Sequence, residues 1–330
     1  MIKGAILGLG FIGKVHYEEF KNLEKENKQI KLEACFDINE KNFENVECEN
    51  KYTSLDEFFE KEKGKIDFVD ICLPTFMHRE LSIKAMEYGF HVLCEKPMAL
   101  SHQDCLAMID ASQKFRKKLM IAQVLRFDGE YSLIKSYIDK EILGKAKNVK
   151  YTTYRTGLPD GESNWFKKKE LSGGTIFDVH VHDTDLLIHY FGMPHKLTTV
   201  ANCDTRKLGV ESFSTNLHYD KDFYVNIQCD MELAYSGHYK DRTIRINFEK
   251  GYIIKDEYRF IAVDETGKET DLSLKLNETL MYRNEIEYFA KAIANNEDLS
   301  LCPPTDSANA IKLVLLEIKS AEADGKTIYC

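Results

Sequence analysis

The sequence contains no run of ~18 apolar residues, so no segment is expected to span a bilayer. It has no C-x-x-C pair. Its nine cysteines (35, 48, 72, 94, 105, 203, 229, 302 and 330) are odd in number and scattered. Zinc sites and disulfide frameworks need clustered or paired spacing, so these read as reduced thiols, mostly buried. Basic charge is in the minority: 45 Lys+Arg against 54 Asp+Glu leave a net −9. Polyanionic surfaces attract basic proteins, so neither nucleic acid nor a membrane is an expected partner. The chain opens at once on Met1-Ile2-Lys3-Gly4-Ala5-Ile6-Leu7-Gly8, which leaves no room for a signal peptide, and a cytoplasmic protein is expected. What is present is ordinary globular composition: 330 residues, 43% hydrophobic, 30% charged and 11% aromatic. That length suits about two domains with real cores and requires no disulfide or metal staple.

Periodicity divides the chain. Short apolar runs at 5–7, 31–36, 66–73, 91–94 and 119–124 alternate with amphipathic stretches at 12–24, 80–88 and 103–115. Strand–helix alternation at this pitch predicts an α/β domain, a parallel sheet with helices on both faces, over residues 1–124. Beyond it, over 125–330, one helical stretch near 177–191 precedes strand-like segments at 197–201, 212–219, 223–231, 243–248, 252–255 and 259–263. Turns at 219–222 and 249–251 predict hairpins, hence a large, mostly antiparallel sheet and an α+β second domain. Late helices are expected at 281–295 and 307–323. No repeat or low-complexity tract interrupts either part.

Gly8-Leu9-Gly10-Phe11-Ile12-Gly13 fits G-x-G-x-x-G between a strand and a helix, the setting of a Rossmann dinucleotide site. The first glycine allows the tight turn, the second lets backbone approach a pyrophosphate, and the third lets helix and strand pack closely. The helix N-terminus offers N–H groups and a positive dipole end to the phosphates. Asp37 ends the next strand and can accept from a ribose diol while repelling a 2′-phosphate. NAD is therefore the expected cofactor, with NADP the alternative.

Strand 91–94 runs into Glu95-Lys96-Pro97, outside the carboxyl ends of the strands where open α/β sheets bind ligands. A lysine before proline is held extended. Lys96 is either a donor to a substrate oxygen or a solvated loop lysine, and position alone favours neither.

The glycine fingerprint, Cys72-Leu73-Pro74-Thr75 with His78, and His91-Val92-Leu93-Cys94-Glu95-Lys96-Pro97 together resemble the glucose–fructose oxidoreductase/inositol dehydrogenase (Gfo/Idh/MocA) family. The resemblance continues through Ser172-Gly173-Gly174-Thr175 and the Asp178/His182/Asp185 segment, so it covers essentially the whole chain. It implies a dinucleotide-binding domain followed by an open-sheet domain that joins copies into a homodimer or homotetramer. It also implies NAD(P)-dependent oxidation or reduction of a sugar or polyol. By the same likeness Lys96 matches the catalytic lysine and the Lys96–Pro97 peptide is a candidate for the cis form. Cys72, Leu73 and His78 match a cofactor-contacting loop, to which Glu95 and Lys96 are added.

Taken as one helix at about 100° per residue, residues 175–191 place Asp178, His182, Asp185 and His189 within an arc of about 60°. Apolar residues fill most of the remaining circumference. That stripe faces either a polar site or solvent, and 177–181 also alternates like a strand. The chemistry favours a site, because oxidising an alcohol requires removal of the hydroxyl proton as hydride leaves. A histidine titrates near neutrality, and a carboxylate one turn away orients it. The resemblance places the family's Asp-x-x-x-His pair on Asp178 and His182: His182 as general base, Asp178 as its partner, Lys96 polarising the reacting oxygen, and Asp185 in a substrate or supporting role. His180 departs from the family's usual small residue. On a straight helix it points about 160° from His182, so no metal shared by these histidines is expected. Arg126, Arg155 and Trp165 are lesser substrate-binding candidates; arginine donates to hydroxyls and indole stacks on a sugar face.

Three functions fit: a dehydrogenase or reductase for a carbohydrate-like alcohol, an NAD-dependent glycosidase using transient oxidation, and a non-catalytic cofactor-binding regulator. Intact Lys96, Asp178 and His182 weigh against the last.

Overall fold

A computed structural model describes residues 1–26, 28–155, 165–204, 209–231, 240–273 and 280–330, with backbone alone at 155, 203–204, 209–211 and 240. The chain divides into two compact units. The first comprises Met1–Phe127 and Leu280–Ala308, the second Asp128–Thr279 and Asn309–Cys330.

In the first unit, β1 (Ile2–Leu7), α1 (Phe11–Lys25), β2 (Ile30–Phe36), β3 (Asn50–Tyr52), α2 (Leu55–Glu62), β4 (Phe68–Ile71), α3 (Thr75–Glu87), β5 (His91–Glu95), α4 (His102–Phe115) and β6 (Leu119–Ala122) follow in order. The six strands are all parallel and run 3-2-1-4-5-6 across the sheet. This is the doubly wound order, whose ligand crevice lies where the strand order reverses, at the carboxyl ends of β1 and β4. Ser54 caps α2 by accepting the Glu57 N–H at 3.4 Å, an N-cap the periodicity reading passed over.

The second unit holds α5 (Gly129–Asp139), β7 (Ala146–Arg155), α6 (Lys169–Ser172), α7 (Val181–Phe191), β8 (Lys196–Asp204), β9 (Gly209–His218), β10 (Tyr224–Asp230), β11 (Lys240–Phe248), β12 (Gly251–Lys255), β13 (Phe260–Asp264) and β14 (Glu269–Asp271). Its nine-stranded sheet has the order 14-13-12-11-7-10-9-8-15, where β15 is Ile328–Tyr329. Every pairing is antiparallel except β7 with β10. Asp128 caps α5, accepting the N–H groups of Glu130 at 2.8 Å and Tyr131 at 3.4 Å.

The sequence division at 124/125 assigned everything downstream to one domain, and here the structure differs. Helix α8 (Met281–Ala294) buries Ile286 and Phe289 in the first unit's core with Ile6, Phe20, Phe68 and Leu93. Phe289 meets Phe68 edge-on at 5.4 Å, and Phe68 stacks on Phe20 at 5.8 Å. A final helix, α9 (Pro304–Glu322), begins in the first unit and ends in the second. None of the described helices is long and apolar enough to cross a membrane.

Candidate functional site

The turn after β1 is shaped by what a side chain would strike. Gly8 has φ +100°, and a Cβ there would lie 2.7 Å from the Cys72 carbonyl oxygen. At Gly13 it would lie 1.9 Å from the Gly8 carbonyl oxygen, so the first turn of α1 packs directly on the strand exit. Gly10 is the opposite case: none of the described atoms lies within 4 Å of a Cβ built there. It is also the N-cap of α1, with no side-chain cap among the described residues and no acidic residue in the first turn. A bare helix N-terminus with a backbone open to close approach suits an anionic pyrophosphate. Phe11 is exposed and Ile12 half-buried beside it.

Asp37 follows β2 and is 6% exposed. Its Oδ2 accepts the Leu9 N–H at 2.7 Å and its Oδ1 the Asn39 N–H at 2.8 Å. Each oxygen keeps a second lone pair, so an oriented, two-pronged acceptor stands next to the glycine turn. These residues fit a dinucleotide.

The loop after β4 carries Cys72, 7% exposed, and half-buried Leu73. His78, on α3, closes the loop: its Nε2 is 2.8 Å from the Leu73 carbonyl oxygen and its Nδ1 2.8 Å from that of Pro97. Burial pushes this imidazole below its ordinary range, while the two carbonyl acceptors work in the opposite direction. The segment bearing Cys72 and Leu73 and the segment bearing Lys96 thus share one buried ring. Half-buried Lys96 leaves the carboxyl end of β5, and the Lys96–Pro97 peptide is cis. Glu95 is 6% exposed, and its Oε2 accepts the Lys96 backbone N–H at 3.0 Å.

In the second unit the stretch expected as one uniform helix is two pieces. Residues Ile176–His180 form a π-helical turn that runs into α7, which overturns both the strand alternative and the uniform 100° spacing. Wider turns of this kind recur at functional sites because they re-aim side chains. Of residues 175–188, all of them described, every one is buried except Asp178 and His182. Asp185, placed in the same arc by the sequence, is 1% exposed, whereas His189 is half-buried.

His180 is fully buried and has an account of its own. Its Nδ1 lies 3.2 Å from Asp183 Oδ2 and its Nε2 3.0 Å from Glu317 Oε2. Asp183 also accepts from Thr153 Oγ1 at 3.0 Å and pairs with Arg242 at 3.1 Å. Burial opposes charge on His180, but the Glu317 and Asp183 carboxylates raise it to about 9. Burial likewise works against the Asp183 carboxylate, yet the Arg242 charge and the His180 contact hold it below its usual range. Among the described residues His180 groups with Asp183 and Cys229, not with His182 or Asp185.

The lesser candidates separate. Arg126 is buried in the first unit, donating to the Leu301 carbonyl oxygen and pairing with Asp306, both at 3.0 Å, so it serves packing. Trp165 stacks on Phe166 with ring centroids 3.9 Å apart. Arg155 ends β7; its side chain and residues 156–164 lie outside the described set. The sequence reading passed over His16, although a histidine among the inward positions of α1 (Gly13, Tyr17, Phe20, Leu23) was a visible signal.

Comparison with known proteins agrees with this architecture. A curated relative from Escherichia coli (strain K12), named 2,7-anhydro-N-acetylneuraminate hydratase, is 26% identical over 68% of this chain. The chain spans 63% of that relative's length. A D-xylose 1-dehydrogenase (NADP(+)) of Haloferax volcanii is 27% identical over 70% of this chain and 71% of its own. The solved structure of a levoglucosan dehydrogenase in complex with NADH and L-sorbose superposes with a TM-score of 0.86 at 18% identity, covering 100% of this chain and 98% of that one, and shows a shared fold. Residues 2–123 match the model of an oxidoreductase family with an NAD-binding Rossmann fold, and residues 131–254 that of the GFO/IDH/MocA C-terminal domain. Two models of one family account in this way for both sheets, and the chain belongs to the Gfo/Idh/MocA oxidoreductases.

Proposed function

We propose that this protein binds NAD in its first unit and exchanges hydride with the carbon of a sugar, polyol or related hydroxy/keto carbohydrate. The observation that carries the reading is the pattern of exposure on the π turn and α7. Between residues 175 and 188 an otherwise buried stretch leaves half-buried one carboxylate, Asp178, and one imidazole, His182. Proton transfer to and from an alcohol needs a carboxylate and an imidazole of this kind within reach of substrate.

When bound, the nicotinamide supplies the hydride acceptor or donor. The glycine turn and the α1 N-terminus hold the pyrophosphate, and Asp37 takes the ribose hydroxyls. NAD is favoured over NADP because the anchored Asp37 carboxylate repels a 2′-phosphate. Cys72, Leu73, His78 and Glu95 shape the loops at the carboxyl ends of β4 and β5. In the oxidising direction, neutral His182 accepts the hydroxyl proton as hydride leaves the carbon, and Asp178 orients the imidazole and steadies its charged form. Lys96 donates to the reacting oxygen and stabilises its developing negative charge. Asp185, Arg155 and Trp165 are proposed to support or contact the substrate. In reduction the same groups run in reverse.

A second reading is favoured by the hydratase relative. In it the cofactor is regenerated at every turnover, and the net reaction breaks or forms a bond to a sugar carbon without net redox. A panel of polyols, sugars and keto-sugars with NAD(H) and NADP(H) distinguishes the two. Stoichiometric NADH release supports the dehydrogenase; substrate conversion without it supports the second. Lys96→Ala should abolish turnover while NAD still binds, and unchanged turnover sinks the assignment.

A further inference from the structure

Helix α1 places His16 three residues beyond Gly13, fully buried against the carboxyl ends of β4 and β5. Its Nδ1 is 2.8 Å from Asp70 Oδ2. Its Nε2 is 3.1 Å from Glu95 Oε1, an ion-pair contact set off the hydrogen-bond axis. Asp70 is 0% exposed and Glu95 6%. The remaining oxygens reach outward: Asp70 Oδ1 takes the Cys72 thiol at 3.5 Å, and Glu95 Oε2 takes the Lys96 backbone N–H at 3.0 Å. The Tyr282 ring lies against the imidazole at 5.7 Å.

Two carboxylates sharing a dry pocket repel each other, and each is costly to ionise without a cation between them. Burial alone disfavours a charged imidazole, but the Asp70 carboxylate lifts His16 well above its ordinary range. An imidazolium bracketed by Asp70 and Glu95 therefore satisfies the pocket at neutral pH. The same pocket brings together His16, Asp70 and Cys72, a set able to ligate a metal. The Cys72 thiol, pushed up by burial, donates to Asp70 Oδ1. Nδ1 is hydrogen-bonded to Asp70 and Nε2 faces Glu95 as an ion pair, so both ring nitrogens already point at carboxylates.

We propose that His16 is a positioning residue for Lys96, holding Glu95 so that its second oxygen fixes the lysine's backbone. In this arrangement the helix that receives the pyrophosphate and the residue that polarises substrate are joined through one buried ring. The proposal rests on the reading of Lys96 as a catalytic residue, and nothing in the family match assigns His16 a role.

The test compares wild type, His16→Gln and Glu95→Gln in the full-length protein. It measures the acetylation rate of each lysine by peptide mass spectrometry, NAD affinity, melting temperature and, where a substrate is found, kcat and KM. Lys96 acetylation should change about threefold or more in both variants, while Lys84 and Lys118 keep their wild-type rates. For His16→Gln, kcat should fall about tenfold, with NAD affinity and substrate KM within about threefold of wild type. A purely structural role predicts a lower melting temperature with unaltered Lys96 labelling and kcat in the folded protein, and that result overturns the proposal. Should His16→Gln not fold, the Glu95→Gln labelling decides alone, since the amide keeps the side-chain shape while losing the charge that faces His16. Labelling needs no substrate, so absence of wild-type turnover across the sugar panel would overturn only the functional reading.

Discussion

The Asp37 carboxylate accepts the backbone N–H of Leu9 at 2.7 Å, so the residue that follows β2 is tied to the glycine turn that follows β1. One side chain thereby shapes the loop for the pyrophosphate and offers acceptors to the ribose. Asp37→Ala should weaken NAD about 10- to 100-fold, the loss expected from charge-assisted hydrogen bonds, and should weaken NADP less. Fluorescence titration with both cofactors checks this; an unchanged NAD/NADP ratio contradicts it.

Gly13→Ala tests the turn itself. A Cβ 1.9 Å from the Gly8 carbonyl oxygen forces α1 away from the strand. We expect a melting temperature lowered by several degrees, consistent with about 1–3 kcal/mol of overpacking, and NAD affinity reduced by about tenfold or more. Gly10→Ala, with open space at its Cβ, should melt like wild type yet still lose affinity, because the added methyl stands where the pyrophosphate approaches. Calorimetry and titration of both variants separate the two effects.

His180 gives the second unit a pH signature. Its folded-state value of about 9 lies above its ordinary 6.5, so its contribution to stability is complete below about pH 6.5 and is lost as pH rises through about 9. The full shift corresponds to roughly 3 kcal/mol. The wild-type melting temperature should fall across that window, and that of His180→Asn should be lower at neutral pH and flatter there. Parallel curves for the two proteins would show that the Glu317 and Asp183 contacts carry no such linkage.

Phe289 tests the assignment of residues 280–308. Phe289→Ala should cost about 3–5 kcal/mol, as expected for a phenylalanine removed from a packed core, and should weaken NAD binding by unfolding the nucleotide-binding unit. A chain ending at residue 127 should lack a cooperative thermal transition, since Phe68 and Phe20 lose their Phe289 cover. A sharp melt from that fragment contradicts the division.

Local pattern carried much of this structure. Alternating apolar runs located the six parallel strands to within a few residues, apart from the three-residue β3, and the glycine spacing located the turn. Helices α2 and α5 were passed over even though Ser54 with Glu57 and Asp128 stand at their starts as N-cap signals. Periodicity reports which face of an element is apolar, not which core receives it, so the destination of Ile286 and Phe289 was out of reach. The π turn was hidden for another reason: hydrogen bonds one residue longer than α-helical leave no compositional mark. His180 was singled out as unusual, but its partner Glu317 is 137 residues away and invisible to any local reading.

The chain passes between the units after residues 127, 279 and 308, the last time within the length of α9. During synthesis, which runs from the N-terminus, the nucleotide-binding sheet emerges first but waits for α8 to cover Phe68. About 150 residues of the second unit are made in that interval. The unit that begins the chain is therefore completed only shortly before the other, and its apolar face stays open for most of the protein's manufacture.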